Sequence, residues 1–300
     1  MTANASFEPT ANGEPASAAP LKRYRHMQHS TVVVDKSFLQ GLKTAEMHAF
    51  ASTHRLLMSE ALLYELLSNP VDRASCFAKF QNVDNPVDLV MHVGGYLRKE
   101  VDRRKPAPRP SDTVQKIRFQ FNSRLLDDDY KLPPQAALAM EQQRDDLLND
   151  VKSLKERALL VPSFFPDAFA GSDKRRRAAR AEAERIIAGE TGSLLDFYGQ
   201  LRSPRGHRRL PPKRIVNDQW ALYRWLQVHF LFSIDLYWRY GEQLAEPLSP
   251  TAEEKIEHDV LDAQYMFIGV LEGSFATHEK KLRRWFTAIR PDGALFGKDG

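Results

Sequence analysis

Five carboxylates stand where a metal-binding cleft would need them. Asp35 follows the apolar run TVVV, Glu65 interrupts the apolar stretch ALLYELL, and Glu279 follows FAT and His278. Asp259 and Asp262 are three apart in DVLDAQYM, a spacing that puts both on one helical face. Carboxylates from such distant parts of a chain repel one another in a shared cleft unless a cation or a proton compensates. Hard oxygen ligands that retain waters suit magnesium or manganese, so Mg2+ or Mn2+ is the cofactor the cluster calls for.

The elements around these acids predict an α/β fold. Residues 30–39 contain a β-branched run without polar alternation, the pattern of a strand buried on both faces, with Asp35 at its end. A short helix or connecting segment over 43–53, a second short strand at 56–58 and a helix over 60–67 capped by Ser59 complete a βαβ-like opening, which favours a parallel sheet. The C-terminal quarter repeats the theme. Thr251 and Glu254 read as a capping box for a helix running to Glu272 and ending at Gly273. A strand over 275–277, a basic amphipathic helix over 280–289 and a turn at Pro291, Asp292 and Gly293 follow. In an open parallel sheet, ligands gather beyond the carboxyl ends of the strands, where Asp35 and Glu279 would lie.

The middle of the chain reads as helical, without strands. It has partial helix over 77–101, a proline-punctuated basic linker over 103–111, a long polar helix over 134–159, and a helix over 174–187 capped by Asp173. A largely apolar packing helix over 220–244 follows. The expected organisation is a flexible tail at 1–29 and a single domain over 30–300, assembled from 30–70 and 250–296 with a helical insertion at about 71–249. With 42% hydrophobic residues in 300, the chain can bury a core. Cys76 is its single cysteine, which excludes an internal disulfide framework and fits a reducing, cytoplasmic setting. No apolar stretch is long enough to span a bilayer, so no membrane partner is expected.

The segments TVVVDKSFL, LLMSEALLYELL, DVLDAQYM and FATHEKKLRRW together resemble the four successive acidic motifs of PIN-domain nucleases, in order and in structural context. The resemblance covers roughly 30–70 and 250–296. It implies a PIN-like parallel sheet flanked by helices, with a large helical insertion between the second and third motifs. It also implies a metal-dependent endoribonuclease that hydrolyses phosphodiester bonds of single-stranded RNA with Mg2+ or Mn2+. Asp35, Glu65, Asp262 and Glu279 become the catalytic and metal-binding residues, with Asp259 as a further metal ligand. Asp35 and Asp262 are the primary ligands; Ser37 or Thr277 would contact a metal-bound water or phosphate. The family more often has aspartate after Thr-Asn at the fourth motif. Lys36 after the first acid is a second departure: pointing inward, its ammonium would partly replace a cation.

Charge distribution suggests where a polyanion would run. Residues 199–216 contain no acid but include Arg202, Arg205, Arg208, Arg209, Lys213 and Arg214 among prolines, a candidate RNA-binding loop. A further basic stretch lies at 174–180. His229, His258 and His278 form no zinc spacing. Two other readings remain open at this point. One is a catalytically weakened PIN-like scaffold that binds RNA or a protein partner, or self-associates, through its insertion; the other is an all-helical interaction protein.

Overall fold

β1 (Ser30–Val34) leads through α1 (Lys36–Gly41) and α2 (Thr44–Thr53) to β2 (His54–Met58). Helices α3 (Glu60–Ser68) and α4 (Pro70–Phe77) precede the short β3 (Asp88–Leu89). Then come α5 (Val93–Arg103), α6 (Pro134–Phe164), α7 (Asp173–Gly189), α8 (Thr191–Gln200) and α9 (Ala221–Tyr240). α10 (Pro250–Glu272) brings the chain back to the sheet as β4 (Ser274–Ala276), and α11 (Lys280–Ile289) leads to β5 (Ala294–Phe296). This computed structural model describes residues 30–83, 85–114, 123–127, 129–189, 191–200 and 210–298. The expected tail, 1–29, and Arg202, Arg205, Arg208 and Arg209 lie outside the described residues.

The five strands form one all-parallel sheet in the order β3-β2-β1-β4-β5, flanked by helices. β1 is central, and Val32, Val33 and Val34 have no exposed surface, as its unalternated apolar run requires. Val33 and Val34 pair with Phe275 and Ala276, so the two ends of the chain share one sheet. α10 packs on β1 and β4. That approach is close at Gly269, where a Cβ would stand 2.8 Å from the Phe275 ring.

The helical middle is built against α10 through α6 and α9. On α6, the buried residues Leu147, Val151, Leu154, Ala158 and Val161 recur every three or four positions and form one stripe, while Leu138, Leu148, Leu160 and Phe164 of the same helix are exposed. Glu100, fully buried on α5, accepts hydrogen bonds from the backbone N–H groups of Ala107, Ala221 and Leu222. It thus closes the start of α9 and one side of the 104–113 linker with a single carboxylate. No helix among the described residues is long and apolar enough to cross a membrane.

Several expectations are corrected. The middle is not free of strands: β3 lies within 71–249 and pairs with β2, so that segment contributes an edge to the sheet. β5 follows the turn at 291–293 and was likewise not expected. α10 is capped by Ser249, whose hydroxyl accepts from Ala252 N, with Pro250 at its first position; Thr251 and Glu254 lie inside the helix. Asp173 belongs to the first turn of α7 and pairs with Arg176 there. α9 stops at Tyr240, where Gly241 takes a positive φ.

Candidate functional site

The carboxyl edge of the sheet is organised around Asp35. Its side chain, 1% exposed, accepts from Phe38 N at 2.7 Å and so caps α1, the ordinary use of an aspartate at a strand exit. Ser37 Oγ lies 2.9 Å and 3.0 Å from the two carboxylate oxygens, and Thr277 also hydrogen-bonds this side chain. Burial, with a small addition from Glu279, pushes the Asp35 carboxyl up from its ordinary 3.8 to about 6, against the pull of those hydrogen bonds.

Thr277, one residue beyond β4, has no exposed surface and joins the two strand exits. Its hydroxyl lies 3.3 Å from Ser37 Oγ and accepts from Glu279 N at 3.0 Å. Ser37 Oγ in turn accepts from His278 N at 2.9 Å. Both expected hydroxyl residues therefore stand at Asp35 and fix the loop that carries Glu279, which is itself solvent-exposed.

Asp262 reaches the same region from α10. Its carboxyl is pushed well above the usual range, first by burial, and then by Asp35, Asp259 and Glu279; Lys281 opposes that shift. Asp35, Asp262 and Glu279 thus lie within one another's fields, and no ion pair to Asp35 or Asp262 occurs among the described residues. Burial is the main cause of both upward shifts, and like charge adds to them.

The remaining two acids are already neutralised by the chain itself. Glu65, 8% exposed, has Lys36 Nζ at 2.5 Å, Tyr265 Oη at 2.5 Å and His258 Nδ1 at 3.2 Å. Despite its burial, these partners hold its carboxyl below the usual range. Lys36 therefore points inward. Asp259 pairs with Lys281 at 2.7 Å and with Arg239. Through Lys281 and Arg239 it joins Asp235, and Asp235 joins Arg180 of α7.

These pairings decide how a divalent ion would fit. Among the described residues, no group of three or more His, Cys, Asp or Glu is gathered as a metal-binding cluster. The acids free of a cation partner are Asp35 and Asp262, with exposed Glu279 at the rim. One or two carboxylates supplemented by waters and substrate phosphates is the usual donor set for magnesium. Asp35 and Asp262 are the carboxylates such a set would draw on, while Glu65 and Asp259 stand behind cations of their own.

The described members of the expected basic loop lie elsewhere. Lys213 and Arg214, both exposed, occupy a single 3-10 turn just before α9, with Lys213 paired to Asp196. The start of α9 contacts Ile289, at the far end of α11 from Glu279. The described structure therefore does not bring Lys213 and Arg214 to the acids. Lys281, Tyr265 and His258 were missed as site residues, because a basic helix, an apolar helix face and an isolated histidine carry no sign of their partners.

No protein-family description, curated protein or solved structure matches this chain.

Proposed function

We propose that this chain is a PIN-like, divalent-metal-dependent nuclease that hydrolyses phosphodiester bonds of single-stranded RNA at the carboxyl edge of its sheet. The observation that carries the reading is the pair Asp35 and Asp262, both with raised carboxyls, Asp35 adding to the rise at Asp262, and neither in an ion pair among the described residues. The order of the acidic motifs and the all-parallel sheet support it.

Asp35 and Asp262 would hold the ion, Ser37 and Thr277 orient the Asp35 carboxylate, and Glu279 at the open rim would accept a proton from the attacking water. A bound Mg2+ or Mn2+ supplies a lowered water pKa and charge neutralisation at the scissile phosphate. Lys281, on the Asp262 side, adds positive potential near the departing charge.

The Lys36–Glu65 contact favours a second reading, in which an internal ammonium does part of the ion's work and the fold serves as a binding scaffold. One assay separates the two. Labelled single-stranded RNA is incubated with the protein and manganese, beside Asp262→Asn protein and an EDTA control. Cleavage confined to wild-type protein with manganese supports the nuclease; intact RNA in every arm leaves the scaffold.

A further inference from the structure

At the opposite edge of the sheet, a polar cavity of about 480 Å3 opens between the end of α7, the start of α9 and the turn after α11. α11 begins beside Glu279 and runs ten residues, roughly 15 Å, before reaching Arg290, so the cavity is remote from the acids. Its charged residues are Arg224, Arg290, Asp218 and Asp292.

Arg224 is 7% exposed, and its guanidinium is only partly paired. Nη1 donates to Gln227 Oε1 at 2.9 Å and reaches Ile289 O at 3.5 Å. Nη2 comes only within 3.7 Å of Asp218, beyond hydrogen-bond distance, and Nε is buried without an acceptor among the described residues. Leaving buried charged donors unpaired is costly, and the Nε–Nη2 edge is the one a guanidinium uses to grip an oxyanion with two parallel bonds. Arg290 adds a second positive charge that Arg224 feels as repulsion. It donates to Asp292 from Nε and Nη2, both at 3.1 Å, and to Val270 O from Nη1 at 3.0 Å. The carboxylates that offset the two arginines are the exposed ones: Asp218 is 54% exposed and Asp292 70%.

We propose that Arg224, supported by Arg290, is a phosphate-binding site, taking the phosphate group of a small phosphate ester or inorganic phosphate. The cavity is larger than a phosphate, which leaves room for an ester such as a mononucleotide. Asp218 fills part of the role at present and competes with the ligand. This site is independent of the nuclease reading.

The test is a calorimetric titration of the full chain in EDTA with inorganic phosphate, adenosine 5′-monophosphate and adenosine. Both phosphates should bind saturably, the nucleotide more tightly than the free ion, and adenosine should not bind. Arg224→Gln should weaken binding tenfold or more. Asp218→Asn, an exposed change that leaves the packing in place, should tighten it severalfold. Asp262→Asn should bind as wild type, so a failure of the nuclease reading leaves this result untouched. Absence of saturable phosphate binding to wild-type protein overturns the proposal, as does unchanged affinity in both Arg224→Gln and Asp218→Asn. Equal binding of adenosine and the nucleotide overturns it too, because the phosphate would then play no part.

Discussion

Lys36 and Glu65 form an ion pair with Nζ 2.5 Å from Oε1, on side chains 22% and 9% exposed. The lysine follows the first acid of the sheet's carboxyl edge directly, and the glutamate comes from α3, so the contact ties β1's exit to the helix after β2. Lys36→Met keeps the apolar stem and removes the charge, leaving Glu65 with Tyr265 and His258 only. Stability in EDTA should fall by about 1–3 kcal/mol, the cost of stranding one partner of a largely buried pair. Manganese should then restore more stability to the variant than it adds to wild type, because Glu65 becomes free to face the ion. Urea melts with and without manganese measure both quantities. Equal metal responses in the two proteins would detach Glu65 from the proposed metal site.

Asp35 sets a pH dependence. Its folded carboxyl titrates near 6, against 3.8 ordinarily, so between those values the folded state binds more protons than the unfolded state. Stability in EDTA therefore declines as pH rises from about 4 through about 6, by at most about 3 kcal/mol from this group. Asp262, raised further, prolongs the decline upward, and His258, raised by its contact with Glu65, acts in the same direction. Glu65, lowered, contributes the opposite slope on the acid side, where its protonation costs stability. Urea midpoints across this range should flatten in Asp35→Asn, which keeps an oxygen to cap Phe38 N. A wild-type curve that climbs from pH 4 to 7 would contradict the assignment.

Glu100→Ala leaves the N–H groups of Ala107, Ala221 and Leu222 without their buried acceptor. The expected loss is about 3 kcal/mol or more, at roughly 1–3 kcal/mol per stranded donor with some relief from entering water. Chemical denaturation measures it, and amide exchange should quicken first at Ala221 and Leu222. A loss below 1 kcal/mol would mean that solvent reaches these donors easily.

How much of this was legible in the sequence follows the range of each interaction. The TVVV run, the Ser59 cap, the Gly273 stop and the amphipathic spacing of α11 are local, and each is found where the sequence puts it. β3 and β5 are two and three residues long and exist because a neighbouring strand offers them hydrogen bonds, a pairing no local pattern announces. Ser249 and Thr251 are both chemically able to cap α10, and Pro250, which suits the first helical position, favours Ser249. Asp35 was legible as a strand-exit acid. That Glu65 and Asp259 are neutralised by Lys36 and by Arg239 with Lys281 was not, because those partners come from other helices and only packing selects them.

Gly269→Ala tests the contact between β4 and α10, the helix that carries Asp262. The added methyl would meet the Phe275 ring at 2.8 Å, so the helix or strand must shift. Thermal and urea unfolding should show a loss of about 1–3 kcal/mol. RNA cleavage, if wild type has it, should fall beyond what the unfolded fraction explains, since metal ligands must hold position closely. Full stability in the variant would show that the helix yields freely there.

The most direct measurement is manganese binding to the folded protein, followed by its stabilisation of wild type, Asp35→Asn and Asp262→Asn. In EDTA both variants should melt at or above the wild-type temperature, because each removes one of two crowded carboxyls. Saturating manganese should raise the wild-type melting temperature and leave both variants unmoved. Manganese that stabilises all three proteins equally, or none of them, contradicts a metal centre at Asp35 and Asp262.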